Sequence, residues 1–100
     1  MEQALKLATK SAANGEVPVG SVLVADGVII AQSGNAPISL VDPTAHAEIN
    51  TIREGASFSG NYRLVGTTLY STLEPCVMCA GAIMHARIGR LVFGAYDKKS

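Results

Sequence analysis

Four side chains in two short segments carry the chemistry that this sequence offers. His46 and Glu48 lie two residues apart in the first segment, and Cys76 and Cys79 lie three residues apart in the second. One imidazole and two thiolates form a ligand set that suits zinc. Structural zinc sites normally have four protein ligands, whereas catalytic sites have three and leave one position to water. We therefore predict a catalytic zinc site with these three ligands, and His85 is the one remaining candidate for a fourth.

The carboxylate of Glu48 suits a task that a zinc ligand cannot perform. Zinc lowers the pKa of bound water toward ~7, and a carboxylate beside that water can take its proton. The same carboxylate can deliver the proton to a substrate nitrogen or to a departing amine. Hydrolytic deamination of an aromatic amidine needs these steps, since zinc-activated hydroxide attacks carbon and ammonia leaves. We therefore predict that Glu48 is the catalytic proton shuttle.

Both segments are predicted to stand at the start of a helix. Asp42 and the proline after it are a capping side chain and a first-turn residue, which predict a helix over about 43–54 that stops at Gly55. The third helix of the chain is predicted over about 75–87 and ends at Gly89. The start of a helix lowers the pKa of a thiol, and a spacing of three places both cysteines on one face of the first turn.

Regular helix geometry limits how His46 and Glu48 can meet. Residues two apart on a helix point about 200° apart, so the two side chains do not share a face. They can reach one metal ion only if it lies beyond the helix end, near the first turn. The small residues Ala45 and Ala47 would let another backbone approach at that point.

The rest of the chain alternates between predicted helices and strands. A helix is predicted over 2–14, and strands are predicted over 19–25, 28–33, 67–73 and 91–95. Asp26 and Gly27 are a hairpin signal between the first two strands, whose apolar runs predict burial on both faces. A strand, a helix and a strand form a βαβ unit, so the last two strands should be parallel. The predicted fold class is α/β.

The composition bounds the classes of protein to which the chain can belong. Its 100 residues, 48% hydrophobic and 16% charged, predict one globular domain over 1–100 and exclude a disordered chain. The net charge is zero, which excludes a generally basic nucleic-acid coat. The first fifty residues carry a charge of −3 and the last fifty a charge of +3. That asymmetry fits either chance or a surface that faces a polyanion.

The sequence also indicates a compartment. No apolar run approaches the ~18 residues of a membrane span, and Glu2, Lys6 and Lys10 interrupt any signal-peptide pattern. Two cysteines are fewer than a small secreted disulfide scaffold normally carries. We therefore expect a cytoplasmic protein without a membrane partner, whose thiols are ligands or redox groups.

The segments that hold these side chains resemble a known family. His46-Ala47-Glu48 followed by Pro75-Cys76-x-x-Cys79 matches the H-x-E…P-C-x-x-C signature of the zinc-dependent nucleobase deaminases. More narrowly, segments 16–20 (EVPVG), 42–48 (DPTAHAE) and 72–82 (TLEPCVMCAGA) resemble the bacterial tRNA-specific adenosine deaminases. The resemblance covers nearly the whole chain, and its deaminase signature is more specific than its tRNA-adenosine part.

The resemblance implies a fold and a reaction. The implied fold is a cytidine-deaminase-like three-layer sandwich, a mixed sheet with helices on both faces. The implied reaction is hydrolytic deamination of adenosine to inosine in RNA, by a homodimer with one zinc ion per chain. The implied partner is a tRNA anticodon stem-loop, deaminated at its wobble position, or another single-stranded nucleic acid. Family members generally continue with further helices and a last strand, so we expect this chain to be shortened at its C-terminus.

The resemblance also assigns roles to individual residues. It makes His46, Cys76 and Cys79 the zinc ligands and Glu48 the proton shuttle. It makes Asn35 a hydrogen-bond partner of the target base and places Val17 and Pro37 at the pocket wall. Asp97 is expected beside the sugar of the target nucleotide, and Ala47 is expected to be a further substrate-binding residue.

Three other interpretations stay open at this stage. The same catalytic residues would deaminate another base, such as guanine or cytosine, either free or in DNA. A CxxC pair at the start of a helix is also typical of thioredoxin-like redox proteins, although that reading leaves His46 and Glu48 unexplained. A non-catalytic zinc-binding subunit would be expected to lack Glu48, which this chain retains.

Overall fold

The computed structural model describes residues 1–95, in which helices and strands alternate along much of the chain. The elements are α1 (Glu2–Ala13), β1 (Gly20–Ala25), β2 (Val28–Gly34), α2 (Ala47–Ser59), β3 (Thr67–Ser71), α3 (Val77–His85) and β4 (Arg90–Phe93). Within residues 1–95, no helix combines the length and the apolar character that crossing a membrane requires.

The four strands form one mixed sheet in the order β2-β1-β3-β4. β1 is antiparallel to both of its neighbours, and β3 and β4 are parallel. The parallel pair flanks α3, which confirms the prediction from the strand–helix–strand pattern. Asp26 and Gly27 both have positive φ, 51° and 76°, which is the backbone of the tight hairpin that their sequence predicts.

Helices cover both faces of the sheet, as predicted for this fold class. Gly20 in β1 faces the backbone of α1 on one side. Leu23 has the opposite parity and faces the other side, where it meets Gly55 of α2 and joins a core that includes Ile83 of α3. This core consists of Leu23, Ala31, Leu64, Leu69, Ile83 and Ala86.

The prediction that both hairpin strands are covered on both faces is correct for β1 and wrong for β2. β1 is central in the sheet, and its first four residues are buried. β2 is an edge strand, and its Val28 and Ile29 are 61% and 48% exposed. An apolar run reports that a strand is hydrophobic, but the position of the strand in the sheet decides how much of it is covered.

The predicted bounds of the second helix are wrong at both ends. The carboxylate of Asp42 accepts hydrogen bonds from the backbone N–H and hydroxyl of Thr44, so it caps a turn before the helix instead of the helix itself. α2 begins at Ala47, with His46 as its N-cap. Gly55 does not end it, because its missing side chain makes room for Leu23, and the helix continues to Gly60, where φ is 68°.

The predicted third helix and the last two strands are also longer than the observed elements. α3 begins at Val77 instead of at 75, because Cys76 is extended and acts as the N-cap. The helix ends at His85, two residues before the predicted end. The strand predicted over 67–73 ends at Ser71, and that predicted over 91–95 ends at Phe93. These differences place both chemistry-bearing segments across the boundary between loop and helix.

The contact between β1 and α1 gives a test of the packing. A methyl group added at Gly20 would collide with the backbone at Ala4 and Ala8. We expect Gly20→Ala to lower the free energy of unfolding by about 1–3 kcal/mol, since backbone must move to accept it. Gly81→Ala is the matched control in α3, because nothing lies within 4 Å of its added methyl group. That variant should gain roughly 0.5–1 kcal/mol in urea unfolding, and equal effects at both sites would contradict the packing.

Candidate metal centre and active site

The starts of α2 and α3 bring three ligand atoms together. His46 and Cys76 are the N-cap residues of these two helices, and Cys79 lies in the first turn of α3. His46 Nδ1 is 3.6 Å from Cys76 Sγ and 3.5 Å from Cys79 Sγ, and all three ligand atoms lie within 4.8 Å of one another. Tetrahedral zinc with its usual bond lengths holds nitrogen and sulfur ligands about 3.6 Å apart. The three residues are therefore positioned to bind a metal ion, and their spacing fits zinc.

The N-cap position of His46 explains how a two-residue spacing serves one site. His46 has an extended backbone with ψ of 154°, so its side chain is not on the helical wheel that carries Glu48. Ala45 and Ala47 on either side of it are fully buried. The sequence argument required the two side chains to meet beyond the regular helix, and His46 and Glu48 do line one cavity there.

Burial dominates the acid–base properties of Cys79. The residue is fully buried, and burial raises the pKa of its thiol far above the ordinary value. The neighbouring Glu48 carboxylate raises the pKa of that thiol further, as does Cys76. Burial and the nearby Glu48 carboxylate thus act against the lowering of the pKa of Cys79 that the helix start was expected to supply. A coordinated divalent cation reverses this balance and deprotonates the thiol.

Glu48 is a buried carboxylic acid beside these ligands. It is 4% exposed, and burial raises the pKa of its carboxyl group above the ordinary value of 4.5. A backbone hydrogen bond, the charge of His46 and a hydrogen bond with Cys79 act in the opposite direction. A carboxyl group with a raised pKa can both hold and release a proton nearer neutral pH, which is the property that general acid–base catalysis requires.

A cavity of about 240 Å³ opens beside the ligands. This volume lies below the roughly 300–1,000 Å³ of pockets that hold drug-sized molecules, so the cavity suits a single ring system. It is lined by Val17, Val19, Asn35, His46, Glu48, Leu73, Glu74 and Cys76. Metal-ligand positions, a buried proton carrier and a compact ring-sized space therefore coincide.

The structure places two of the five predicted contact residues in the lining of this cavity. Val17 and Asn35 line it, whereas Pro37 lies in the adjoining loop and is not part of the lining. Ala47 is fully buried and donates its backbone N–H to Asn35 Oδ1 at 3.2 Å, so it positions the Asn35 carboxamide. Asp97 lies outside the residues that the structure describes.

Three lining residues were not predicted from the sequence, and the candidate fourth ligand lies outside the site. Val19, Leu73 and Glu74 line the cavity without having been singled out. The last two directly precede the Pro75-Cys76 segment, and their position after the end of β3 was the available signal. His85 is exposed at the end of α3 and does not belong to the group of ligand atoms found within residues 1–95.

Comparison with other sequences finds relatives that share this arrangement of segments. The tRNA-specific adenosine deaminase of Haemophilus influenzae is 59% identical over 101 residues, which cover 100% of this chain and 58% of that protein. The chloroplastic tRNA(adenine(34)) deaminase of Arabidopsis thaliana is 56% identical over 98 residues, covering 98% of this chain and 8% of that protein. The chain thus spans about 58% of the length of the first relative.

Solved structures give the same result for the fold. A structure from a study of A-to-I editing by tRNA:A34 deaminases at the wobble position of transfer RNA superposes with a TM-score of 0.98 at 54% identity, covering 100% of this chain and 77% of that one. Guanine deaminase of Bacillus subtilis superposes with a TM-score of 0.92 at 41% identity, covering 95% of this chain and 61% of that one. The predicted cytidine-deaminase-like fold is confirmed.

A family match spans most of the chain. Residues 1–95 match the family described as the cytidine and deoxycytidylate deaminase zinc-binding region. The matched range contains the three ligand positions, Glu48 and every residue that lines the cavity. The chain therefore belongs to the cytidine and deoxycytidylate deaminase family of zinc-binding domains.

Proposed function

We propose that this chain catalyses hydrolytic deamination of adenosine to inosine, at the wobble position of a tRNA anticodon loop. One observation carries the reaction type: three ligand atoms at zinc spacing lie beside a buried carboxyl group on one ring-sized cavity. The names of the relatives that are 59% and 56% identical support the substrate.

The proposed roles follow from the contacts of each side chain. His46, Cys76 and Cys79 would hold the zinc ion, which supplies an activated water as the nucleophile when bound. Glu48 takes one proton from the attacking water and gives it to the ring nitrogen. It then takes the proton of the hydroxyl group added to the ring carbon and gives it to the amine, which leaves as ammonia. Asn35, 8% exposed and fixed through Ala47, supplies an amide edge to the base.

The size and the lining of the cavity support an extruded base as the substrate. A cavity of about 240 Å³ has room for one base. Enzymes that deaminate a base in a nucleic acid act on it single-stranded or flipped out, and unpairing costs least in a loop. Val17 supplies an apolar wall for the ring, and Pro37 and Asp97 are proposed as outer contacts, to the loop and to the sugar.

The partners follow from the same proposal. We expect the full site to engage a tRNA anticodon stem-loop, in the cytoplasm, and to operate as a homodimer. Val77 and Met84, which are 89% and 75% exposed on α3, are apolar side chains that an interface could cover. Sedimentation equilibrium of the zinc-loaded chain would measure the dimer directly.

The alternative interpretations differ in their support. The thioredoxin-like reading requires a reactive dithiol, whereas here both sulfur atoms lie within 3.6 Å of one imidazole nitrogen. A non-catalytic subunit gives no role to Glu48, which is buried beside the ligand positions. One observation supports guanine as an alternative substrate, since the chain is 41% identical to a guanine deaminase.

The decisive experiment is a deamination assay on defined substrates. Zinc-loaded protein would be incubated with an anticodon stem-loop that carries adenosine at the wobble position, with matched stem-loops carrying cytidine or guanosine, and with free guanine. We expect inosine from the adenosine stem-loop and no product from the others. Xanthine from free guanine alone would replace the proposed substrate, and no product at all from folded, zinc-replete protein would refute the proposed activity.

A further inference from the structure

A buried carboxylate outside the zinc motif joins two loops of the cavity wall. Glu16 lies between α1 and β1 and is 6% exposed. Its Oε1 accepts the backbone N–H of Ile38 at 3.2 Å. Its Oε2 accepts both the backbone N–H and the hydroxyl of Ser39, each at 2.7 Å. One side chain thus receives three hydrogen bonds from a segment more than twenty residues further along the chain.

The segment that Glu16 holds is a tight helical turn, and the carboxylate closes its open end. Within this turn the backbone N–H groups of Leu40 and Asp42 donate to the carbonyl groups of Ala36 and Pro37. The N–H groups at the start of such a turn have no partner inside it. A carboxylate supplies that partner, and hydrogen bonds to a charged acceptor are the strong ones.

The bonds to Glu16 connect two loops that each contribute to the cavity lining. Val17, the next residue after Glu16, and Asn35, immediately before the turn, both line the cavity. A backbone hydrogen bond of 2.9 Å from Asn35 N–H to the carbonyl of Val19 joins the same two loops at their inner end. Glu16 joins them at a second point, and two points fix an orientation that one point would leave free to rotate.

The hydrogen bonds keep the Glu16 carboxyl group charged. The hydroxyl of Ser39, followed by the backbone N–H groups of Ser39 and Ile38, holds the pKa of this carboxyl group below its ordinary value of 4.5. The group is therefore ionised at neutral pH and accepts all three hydrogen bonds at once.

The geometry points to Glu16 as a positioning residue: it fixes the 36–41 turn against the α1–β1 loop and thereby sets the position of Asn35 relative to Val17 in the cavity wall. This inference rests on the proposed function for its effect on substrate. Glu16 does not itself line the cavity, so it acts through the residues beside it. Its loss should therefore weaken substrate binding more than it slows the chemical step.

The test compares two isosteric substitutions within one chain. Glu16→Gln removes the negative charge and leaves one acceptor oxygen where two are used, so its NH₂ group must face the N–H of Ile38 or of Ser39. Asp42→Asn is the matched control for loss of a carboxylate charge, because both bonds from Thr44 go to one oxygen of Asp42, which the amide oxygen of asparagine can replace. The control therefore removes a charge and its contact with Arg53 at the other end of the same loop, without touching the link between Glu16 and the turn.

We expect the two variants to separate in steady-state kinetics. Glu16→Gln should raise KM for the wobble-adenosine stem-loop about tenfold, as the loss of a charged hydrogen bond predicts, and change kcat by less than about threefold. Zinc content should stay at the parental value, and Asp42→Asn should leave KM unchanged. An unchanged KM in Glu16→Gln, or a parallel loss of kcat and zinc, would overturn the positioning role.

A second readout does not depend on turnover. In zinc-loaded protein, Glu16→Gln should accelerate amide hydrogen exchange of Ile38 and Ser39 by about tenfold or more and shift the side-chain amide signals of Asn35 in the NMR spectrum. Parental exchange rates and an unmoved Asn35 signal would overturn the inference even where the enzyme is active. Conversely, a parent chain that makes no inosine would refute the proposed function, while these two signals would still decide whether Glu16 positions the wall.

Discussion

Replacing Glu48 with glutamine is expected to lower the rate of deamination by roughly 10²–10⁴-fold while zinc remains bound. The side chain is 4% exposed and matches glutamine in shape, so the substitution removes the proton-carrying function with little change in packing. Burial raises the pKa of this carboxyl group, which suits it to proton transfer. The amide of glutamine cannot replace it as a general acid or base. Single-turnover rates of inosine formation, measured together with the zinc content, would test the expectation.

The matched control for this prediction lies on the same helix. Glu54→Gln changes an exposed carboxylate of α2, two turns away from the cavity, and should leave the deamination rate within about twofold of the parent. A Glu48→Gln protein that retains parental turnover would remove Glu48 from the mechanism. A loss of zinc in the same variant would instead assign Glu48 a role in holding the ligand residues.

The convergence of His46, Cys76 and Cys79 could be predicted from the sequence because local signals place both segments near helix starts. The parallel arrangement of β3 and β4 also followed from a local strand–helix–strand pattern. The local signals misplaced the start of α2. The Asp42-Pro43 pair predicts a helix start four residues before the observed one at Ala47. That offset puts His46 at the N-cap, and the N-cap position is what allows His46 and Glu48 to serve one cavity.

The properties that sequence could not supply depend on contacts between distant segments. The pKa of Cys79 is raised by complete burial and by a carboxylate 31 positions earlier in the chain, whereas the helix-start argument considers the local backbone alone. The partners of Glu16 likewise lie 22 and 23 residues away, and nothing in the residues around Glu16 indicates them. Exposure of β2 depends on its place at the edge of the sheet, which its apolar composition does not reveal.

Removing one thiol ligand is expected to cost the metal ion and, through it, much of the stability. Cys76→Ala leaves His46 and Cys79 as a two-ligand site, so zinc affinity should fall by several orders of magnitude. The loss of affinity lowers stability as well, because a site formed only in the folded state couples binding to folding. At a free zinc concentration a thousandfold above the parental Kd, the parent gains about 4 kcal/mol from the metal. For a chain of 100 residues that gain corresponds to a rise in Tm of about 15 °C or more.

The expected result is therefore a zinc-dependent Tm in the parent and a zinc-independent Tm in Cys76→Ala. Val65→Ala is the matched control, since its 73% exposed side chain lies between α2 and β3, outside the ligand set, and should leave the response to zinc intact. Chelation should lower the Tm of the parent toward that of Cys76→Ala, because it removes the stabilisation that bound zinc supplies. Tight, stoichiometric zinc in Cys76→Ala would mean that another residue completes the site, and the ligand set proposed for this cavity would then be wrong.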